Sequence, residues 1–284
     1  MKVSLFAIAC LLATLLFIPT EVTAEKAPRG YEHNNTPHKH GFRYSKSGEP
    51  VRRGKRAERY ELRFGDCANN DCPNGRFRSE AKEKKVSTKA KVNRNTWIGW
   101  SFHVQAMPNF TARDHFYPFF GQWKIGWDSP PVATFLMHQK GNSNTFYVSL
   151  LHLAAENGGW IGKSKHGHVC KDVFSLSQAK SGWVDIVINT NFSDRQDGFF
   201  RVWVNGKLKC DYRGTIVPPN VPRDFSGPNH RRGIYLGNST RWKKTHGNGR
   251  FRPIVVFYDE YAIGKQRIDV DVRMREAQGL KAMN

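Results

Sequence analysis

The sequence predicts an all-β sandwich, and three observations carry that expectation. Short segments of alternating apolar and polar residues recur between clusters of Gly, Asn, Asp and Pro. Aromatic residues make up 13% of the chain, and 25 of its 284 residues are Gly, a composition that suits pleated sheets better than a helical bundle. No long amphipathic helix competes, with only a short one expected near Val270 to Met283. The absence of an internal repeat removes solenoids and propellers, and 39% hydrophobic residues are too many for a disordered chain.

The chain opens with Met1 and Lys2 ahead of an apolar run from Leu5 to Ile18, and Val22-Thr23-Ala24 supplies the small residues of a cleavage site. Residues 1–24 therefore read as a secretory signal peptide, since the run is shorter than the roughly 20 apolar residues of a spanning helix. Residues 25–56, rich in Lys, Arg, His, Gly and Pro without an apolar period, are expected to form a basic flexible arm. A single domain follows at 57–265, and 266–284 form a C-terminal tail.

Strands are expected at Arg59–Phe64, Phe77–Lys82, Trp97–Gln105, Phe119–Ile125, Val132–Gln139, Phe146–His152, Trp183–Asn191, Phe199–Val204, Gly233–Gly237 and Ile254–Ile263. Period two places Val184, Ile186 and Ile188 on one face, and Phe200, Val202 and Val204 inward with Arg201 and Trp203 outward. Asn205-Gly206 and Asp197-Gly198 read as hairpin signals. Cys10 leaves with the signal, so Cys67, Cys72, Cys170 and Cys210 enter an oxidising compartment as an even set. Three connectivities are open, and the pairs Cys67 with Cys72 and Cys170 with Cys210 are preferred over a zinc site, for which no His stands at suitable spacing.

With 45 Lys and Arg against 24 Asp and Glu, the formal charge is +21. Such a chain adheres to polyanions by counterion release. Export and the lack of a recognition motif argue against a specific nucleic-acid partner, and no later segment is apolar enough to span a membrane. Three strands set polar side chains on one face: Arg78, Glu80 and Lys82; Gln122 and Lys124, with Trp123 turned away; and Trp97, Ser101 and His103, opposite Ile98, Trp100 and Phe102. Together with Arg201 and Trp203 they suggest one cationic, aromatic-bearing groove across a sheet. No pair of carboxylates at glycoside-hydrolase spacing lies on these strands.

The triplet RSE at Arg78 to Glu80, the segments WIGWSFHV and FGQWK, the stretch WVDIVINTNFSDRQDGFFRVWVNGKL from Trp183 to Leu208, and the late VVFYDEYAIG resemble the heparin lyase I-like and glucuronan lyase group of polysaccharide lyases. The resemblance spans roughly 57–265, most specifically through FSDRQDGFFRVWVNGK. It implies a concanavalin-like β-jelly roll whose concave sheet binds a uronic-acid polymer and cleaves it by β-elimination. No cofactor is implied, although a structural calcium is compatible, and a secreted monomer is expected.

In such a reaction a proton leaves the carbon beside a uronate carboxylate and the glycosidic oxygen departs from the β carbon. Charge develops on the carboxylate, so donors aimed at it lower the barrier. Gln122 and Arg78 suit that role, one as a neutral double donor and the other as a bidentate fork. Lys124 stands where alginate-type relatives have His; it is a base only if its pKa is depressed, and otherwise a carboxylate ligand. In the strand resembling the family's Lys-x-Gly-x-Tyr, Tyr235 takes the lysine position and Ser239 the tyrosine position if Gly237 is the glycine. Tyr235 is therefore the second candidate for proton transfer, with Tyr258 in reserve. His103, Trp97, Lys82, Arg201 and Trp203 are expected to bind substrate, whereas His138 and His152 belong to the interior or its rim and His166 and His168 to a loop. A noncatalytic binding module of the same fold is the alternative. Four sequons stand at Asn34, Asn109, Asn191 and Asn238.

Overall fold

The alternating segments pair into two antiparallel sheets of seven strands each in the computed structural model, which describes residues 24–36, 38–84, 90–111, 114, 117–124, 131–140, 143–150, 167, 169–217, 227–237 and 239–283. The first sheet runs in the order β1 (Tyr31–His33), β4 (Phe77–Glu83), β13 (Asn229–Leu236), β6 (Phe119–Lys124), β7 (Pro131–Lys140), β8 (Ser143–Leu150) and β9 (Cys170–Ser175). The second runs β12 (Lys207–Arg213), β11 (Phe199–Val204), β10 (Val184–Thr190), β5 (Thr96–Ala106), β14 (Ile254–Gly264), β3 (Glu58–Leu62) and β2 (Phe42–Tyr44). Among the described residues, the α-helices are three short ones: α1 (Leu176–Ser181), α2 (Ser239–His246) and α3 (Val272–Ala277). None is long and apolar enough to cross a membrane.

Aromatic side chains fill the space between the sheets. Phe102 of β5 meets Phe120, Phe135, Phe146 and Tyr258 with ring centroids 5.2–5.5 Å apart, and Trp100 lies 6.2 Å from Trp123 across the interface. The inward sets expected from period two, including Ile98, Val184, Ile186, Ile188, Phe200, Val202 and Val204, all belong to this core. Asn205 and Gly206 close the β11–β12 hairpin, both with positive φ, 49° and 81°, as the tight turn requires. Both expected disulfides form, with Cα atoms 5.1 Å apart for Cys67–Cys72 and 5.3 Å for Cys170–Cys210.

Two expectations are corrected, and one sequon is found buried. Residues 25–56 are not a flexible arm: β1 pairs with β4 in one sheet and β2 with β3 in the other, burying Tyr31 and Phe42. Strands of three residues are too short to show a period, so the sequence hid them. Asp197-Gly198 is not a two-residue hairpin turn; Gly198 is needed because Gly214 O would lie 2.1 Å from any Cβ placed there. Asn34 turns inward and is buried, which leaves no room for a glycan on that sequon. The signal segment before Ala24, His152, His166, His168 and Asn238 lie outside the described residues, as does the His138 side chain.

Two irregularities shape the centre of the first sheet. The register of β6 shifts between Phe119 and Gly121 and that of β13 between Arg232 and Tyr235. A bulge frees ladder carbonyls that need another donor. Tyr258, reaching from the second sheet, supplies it: its hydroxyl donates to Phe120 O and, at 3.0 Å, to Gly233 O. The bulge explains why Phe120 and Trp123 both face the core while Phe119 turns outward to join Leu136, Tyr147 and Tyr235.

Candidate active site

Alternation on β4, β13 and β6 sends Phe77, Ser79 and Ala81, His230, Ile234 and Leu236, and Trp123 inward, and it leaves Arg78, Glu80, Lys82, Arg231, Tyr235, Gln122 and Lys124 on the outer face. Register brings them together. Tyr235 stands opposite Arg78, and Arg231 lies between Lys82 on one side and Gln122 on the other. Gly233, opposite Glu80, carries no side chain, so Gln122 reaches across β13 and its Nε2 donates to Glu80 Oε1 at 2.6 Å.

Glu80 is the hub. Its second oxygen accepts from Arg78 Nη1 at 2.7 Å and from Asn34 Nδ2 at 2.6 Å. Arg78 also donates from Nε to Asp71 at 2.7 Å, and its guanidinium lies 4.1 Å from the Tyr235 ring centroid. Asp71 is set by the loop that the Cys67–Cys72 disulfide closes, so that bond serves the site as well as the fold. Because Glu80 only accepts, it fixes the Gln122 amide with nitrogen towards it, leaving one N–H for a ligand rather than the two expected.

Electrostatics divide the two proton-transfer candidates. Burial lowers the Lys124 pKa, and the nearby Arg231 and Arg78 cations add to it against the pull of Glu80, bringing it to about 8. Tyr235 moves the other way: burial raises its pKa, more than Arg78 and Arg76 lower it. Arg231 is lowered by burial and by Arg78. Arg78, despite burial, is held above its ordinary value by Glu80 and Asp71. At neutral to mildly alkaline pH the face thus offers an amine that can lose its proton and a phenol that keeps its own.

Of the residues expected at the site, Arg78, Lys82, Gln122, Lys124 and Tyr235 share this face, with Lys82 also 3.0 Å from Glu32. The others do not. Trp97 and His103 on β5, and Arg201 and Trp203 on β11, lie on the outer face of the second sheet, so they cannot form one groove with Gln122. There Trp97 and Trp203 contact each other at 5.4 Å and Arg267 covers Trp203 at 5.0 Å; Arg201 pairs with Asp211 at 3.0 Å; His103 lies against Trp183 and bonds to Gly182 O at 3.2 Å. Tyr258 is a core residue, and Ser239 is buried at the start of α2 because the strand ends at Leu236. Arg231 was missed although the period through Tyr235 points to it; Asn34 and Asp71 come from loops that no local pattern ties to β4. Among the described residues no group of three or more His, Cys, Asp and Glu converges as metal ligands.

A two-sheet sandwich with an Arg, Gln, Lys and Tyr cluster on the outer face of one sheet is the class of protein this geometry defines. The chain belongs to the polysaccharide lyase family, whose profile matches residues 28–262, and it is a polysaccharide lyase. Among solved structures, an endo-β-1,4-glucuronan lyase from the fungus Trichoderma reesei superposes with a TM-score of 0.55 at 17% identity, covering 81% of this chain and 90% of that one. That match shows a shared jelly-roll sandwich. An alginate lyase from Pseudomonas aeruginosa gives 0.46 at 14% identity, over 74% and 83% of the two chains, and a PL7 alginate lyase from the marine Zobellia galactanivorans gives 0.46 at 15%, over 78% and 79%. No curated protein sequence matches significantly.

Proposed function

We propose that this polysaccharide lyase is a secreted monomer that cleaves a uronic-acid polymer by β-elimination, with every role taken by a side chain. The observation that carries the reading is the meeting of Gln122, Arg78, Lys124 and Tyr235 on one face with the amine pKa lowered and the phenol pKa raised. Gln122, held by Glu80, donates its remaining N–H to the substrate carboxylate, and the Arg78 cation beside it favours the charge that builds there. Neutral Lys124 takes the proton from the carbon next to the carboxylate. The electrons of that C–H bond form the carbon–carbon double bond as the C–O bond to the leaving sugar breaks. Tyr235 gives its hydroxyl proton to the departing oxygen, and solvent restores both groups. The two disulfides and the leader-like first 24 residues support export.

The test is a screen of glucuronan, alginate and sulfated glycosaminoglycans for new ultraviolet absorbance, which a conjugated unsaturated uronate produces and hydrolysis does not. Absorbance on at least one polymer is expected. Cleavage that yields reducing ends without absorbance would contradict β-elimination.

A further inference from the structure

The segment after β13 departs from the strand that the family resemblance leads one to expect, and what replaces it is strongly basic. From Ser239 to Arg252 the sequence STRWKKTHGNGRFR holds Arg241, Lys243, Lys244, Arg250 and Arg252 and no Asp or Glu. Lys243, Lys244, Arg250 and Arg252 are exposed and Arg241 is half-buried. None of the five makes an ion pair or a side-chain hydrogen bond among the described residues. Cations in the last turn of α2 do offset the helix dipole. That accounts for Lys243 and Lys244 but not for Arg250 and Arg252, which lie beyond the helix, nor for the lack of any acid. Around the second sheet Arg52, Arg201 and Arg267 each face a carboxylate at 2.8–3.1 Å, and the exposed Lys207, Lys209 and Arg213 belong to β12, a strand of the sheet opposite the active face.

The patch is anchored by packing and adjoins the site. Trp242 stacks on His246 at 3.9 Å, donates to Gly249 O at 2.8 Å, and meets Phe110 and Phe251. His246 in turn bonds to Asp114 at 2.6 Å. The Tyr235 hydroxyl lies 3.3 Å from where a Cβ on Gly237 would sit, two residues before the helix. Ser239 N donates to Gly75 O at 2.7 Å, beside Arg76, whose charge acts on both Tyr235 and Lys124.

We infer that α2 and residues 247–252 form a second anion-binding surface, continuous with the Tyr235 end of the active face. It holds the acidic polysaccharide chain several sugars beyond the bond that is cut. The inference rests on the uronate-polymer reading and extends it: the ligand is a polyanionic chain, long enough to reach from Tyr235 to the helix, and recognised by charge rather than by sugar identity.

The test compares Arg241→Gln/Lys243→Gln/Lys244→Gln with a control of equal charge loss, Lys207→Gln/Lys209→Gln/Arg213→Gln, on exposed positions of β12. On polymer at low salt the α2 variant is expected to raise KM about ten-fold. It should also flatten the dependence of log KM on log salt, because fewer counterions are released. The effect should shrink as the substrate is shortened to a trisaccharide, and the β12 control should behave like wild type. Equal KM and salt slope in the α2 variant would overturn the inference, as would equal losses in both variants or on the trisaccharide. A wild type that cleaves no uronate polymer defeats the reading of the site instead. Affinity electrophoresis in alginate- or heparin-containing gels then decides the surface alone: retardation lost in the α2 variant but not the control upholds it, and equal retardation overturns it. Arg250→Gln/Arg252→Gln, outside the helix, repeats the test if the triple variant loses its fold.

Discussion

On the outer face of the second sheet, buried Asp185 accepts from Ser101 at 2.7 Å, Arg52 at 3.1 Å and Arg273 at 3.4 Å. Arg52 also holds Glu276 at 2.8 Å, Arg53 donates to Leu280 O at 2.6 Å, and Met283 N donates to Glu260 at 3.0 Å. The residues just before β3 and the last turns of the chain are thereby fastened over β14 and β10. On the outer face of the first sheet, Arg78, Arg231 and Lys124 gather around Glu80, and burial, with the neighbouring cations adding to it, lowers the pKa values of Lys124 and Arg231. Both faces mix aromatic, basic and acidic side chains on alternating strands. The first gathers Arg78, Lys82, Lys124 and Arg231 on three neighbouring strands, a field that favours an anionic ligand; around Asp185 and Glu276 the second uses charge pairs to hold the chain's own segments down.

Substitutions can break this comparison, and their expected effects fall in order. Tyr235→Phe keeps the ring over Arg78 and polymer affinity, and it lowers kcat by a factor of about 10² to 10⁴ if the hydroxyl protonates the leaving oxygen; steady-state kinetics with binding measured in parallel check it. Gln122→Ala removes a transition-state donor and is expected to lower kcat about 10² to 10³-fold while the melting temperature holds. Glu80→Gln leaves the donors in place but loosens their aim, so a fall in kcat of about ten-fold is expected, the size of one weakened charge-assisted hydrogen bond. Arg52→Ala, on the opposite face, should cost about 2–3 kcal/mol in denaturant unfolding and leave kcat of the folded enzyme unchanged. A loss of kcat in Arg52→Ala, or none in Gln122→Ala, would erase the distinction between the faces.

Period two sorted Ile98, Trp100 and Phe102 from Trp97, Ser101 and His103 correctly, and it set Arg78 with Glu80 and Gln122 with Lys124. It reports the side of a strand, though, not the sheet that the strand joins. Trp97, His103, Arg201 and Trp203 were thus read into a groove that lies on the other side of the sandwich. Pairing order depends on contacts distant in sequence, such as β13 inserting between β4 and β6. The same holds for Asn34 and Asp71, whose loops reach Glu80 and Arg78 only after β1 docks and the Cys67–Cys72 loop closes. The depressed Lys124 pKa was posed as a condition in the sequence, and its causes, burial first and then Arg231 beside Gln122 on the neighbouring strand, became visible only in the packed sheet and its register.

The most direct test of the account is the pH dependence of kcat/KM, followed by ultraviolet absorbance on the best-cleaved uronate polymer at constant ionic strength. This ratio reports groups of the free enzyme. A base lowered to about 8 must lose its proton to act, so kcat/KM is expected to rise about ten-fold per pH unit below that value and to level off above it. Lys124→Ala should abolish turnover, leaving no rising limb to measure. A wild-type profile flat from pH 6 to 9, or a Lys124→Ala variant that keeps the rate and the rise, would contradict the assignment of Lys124 as the base.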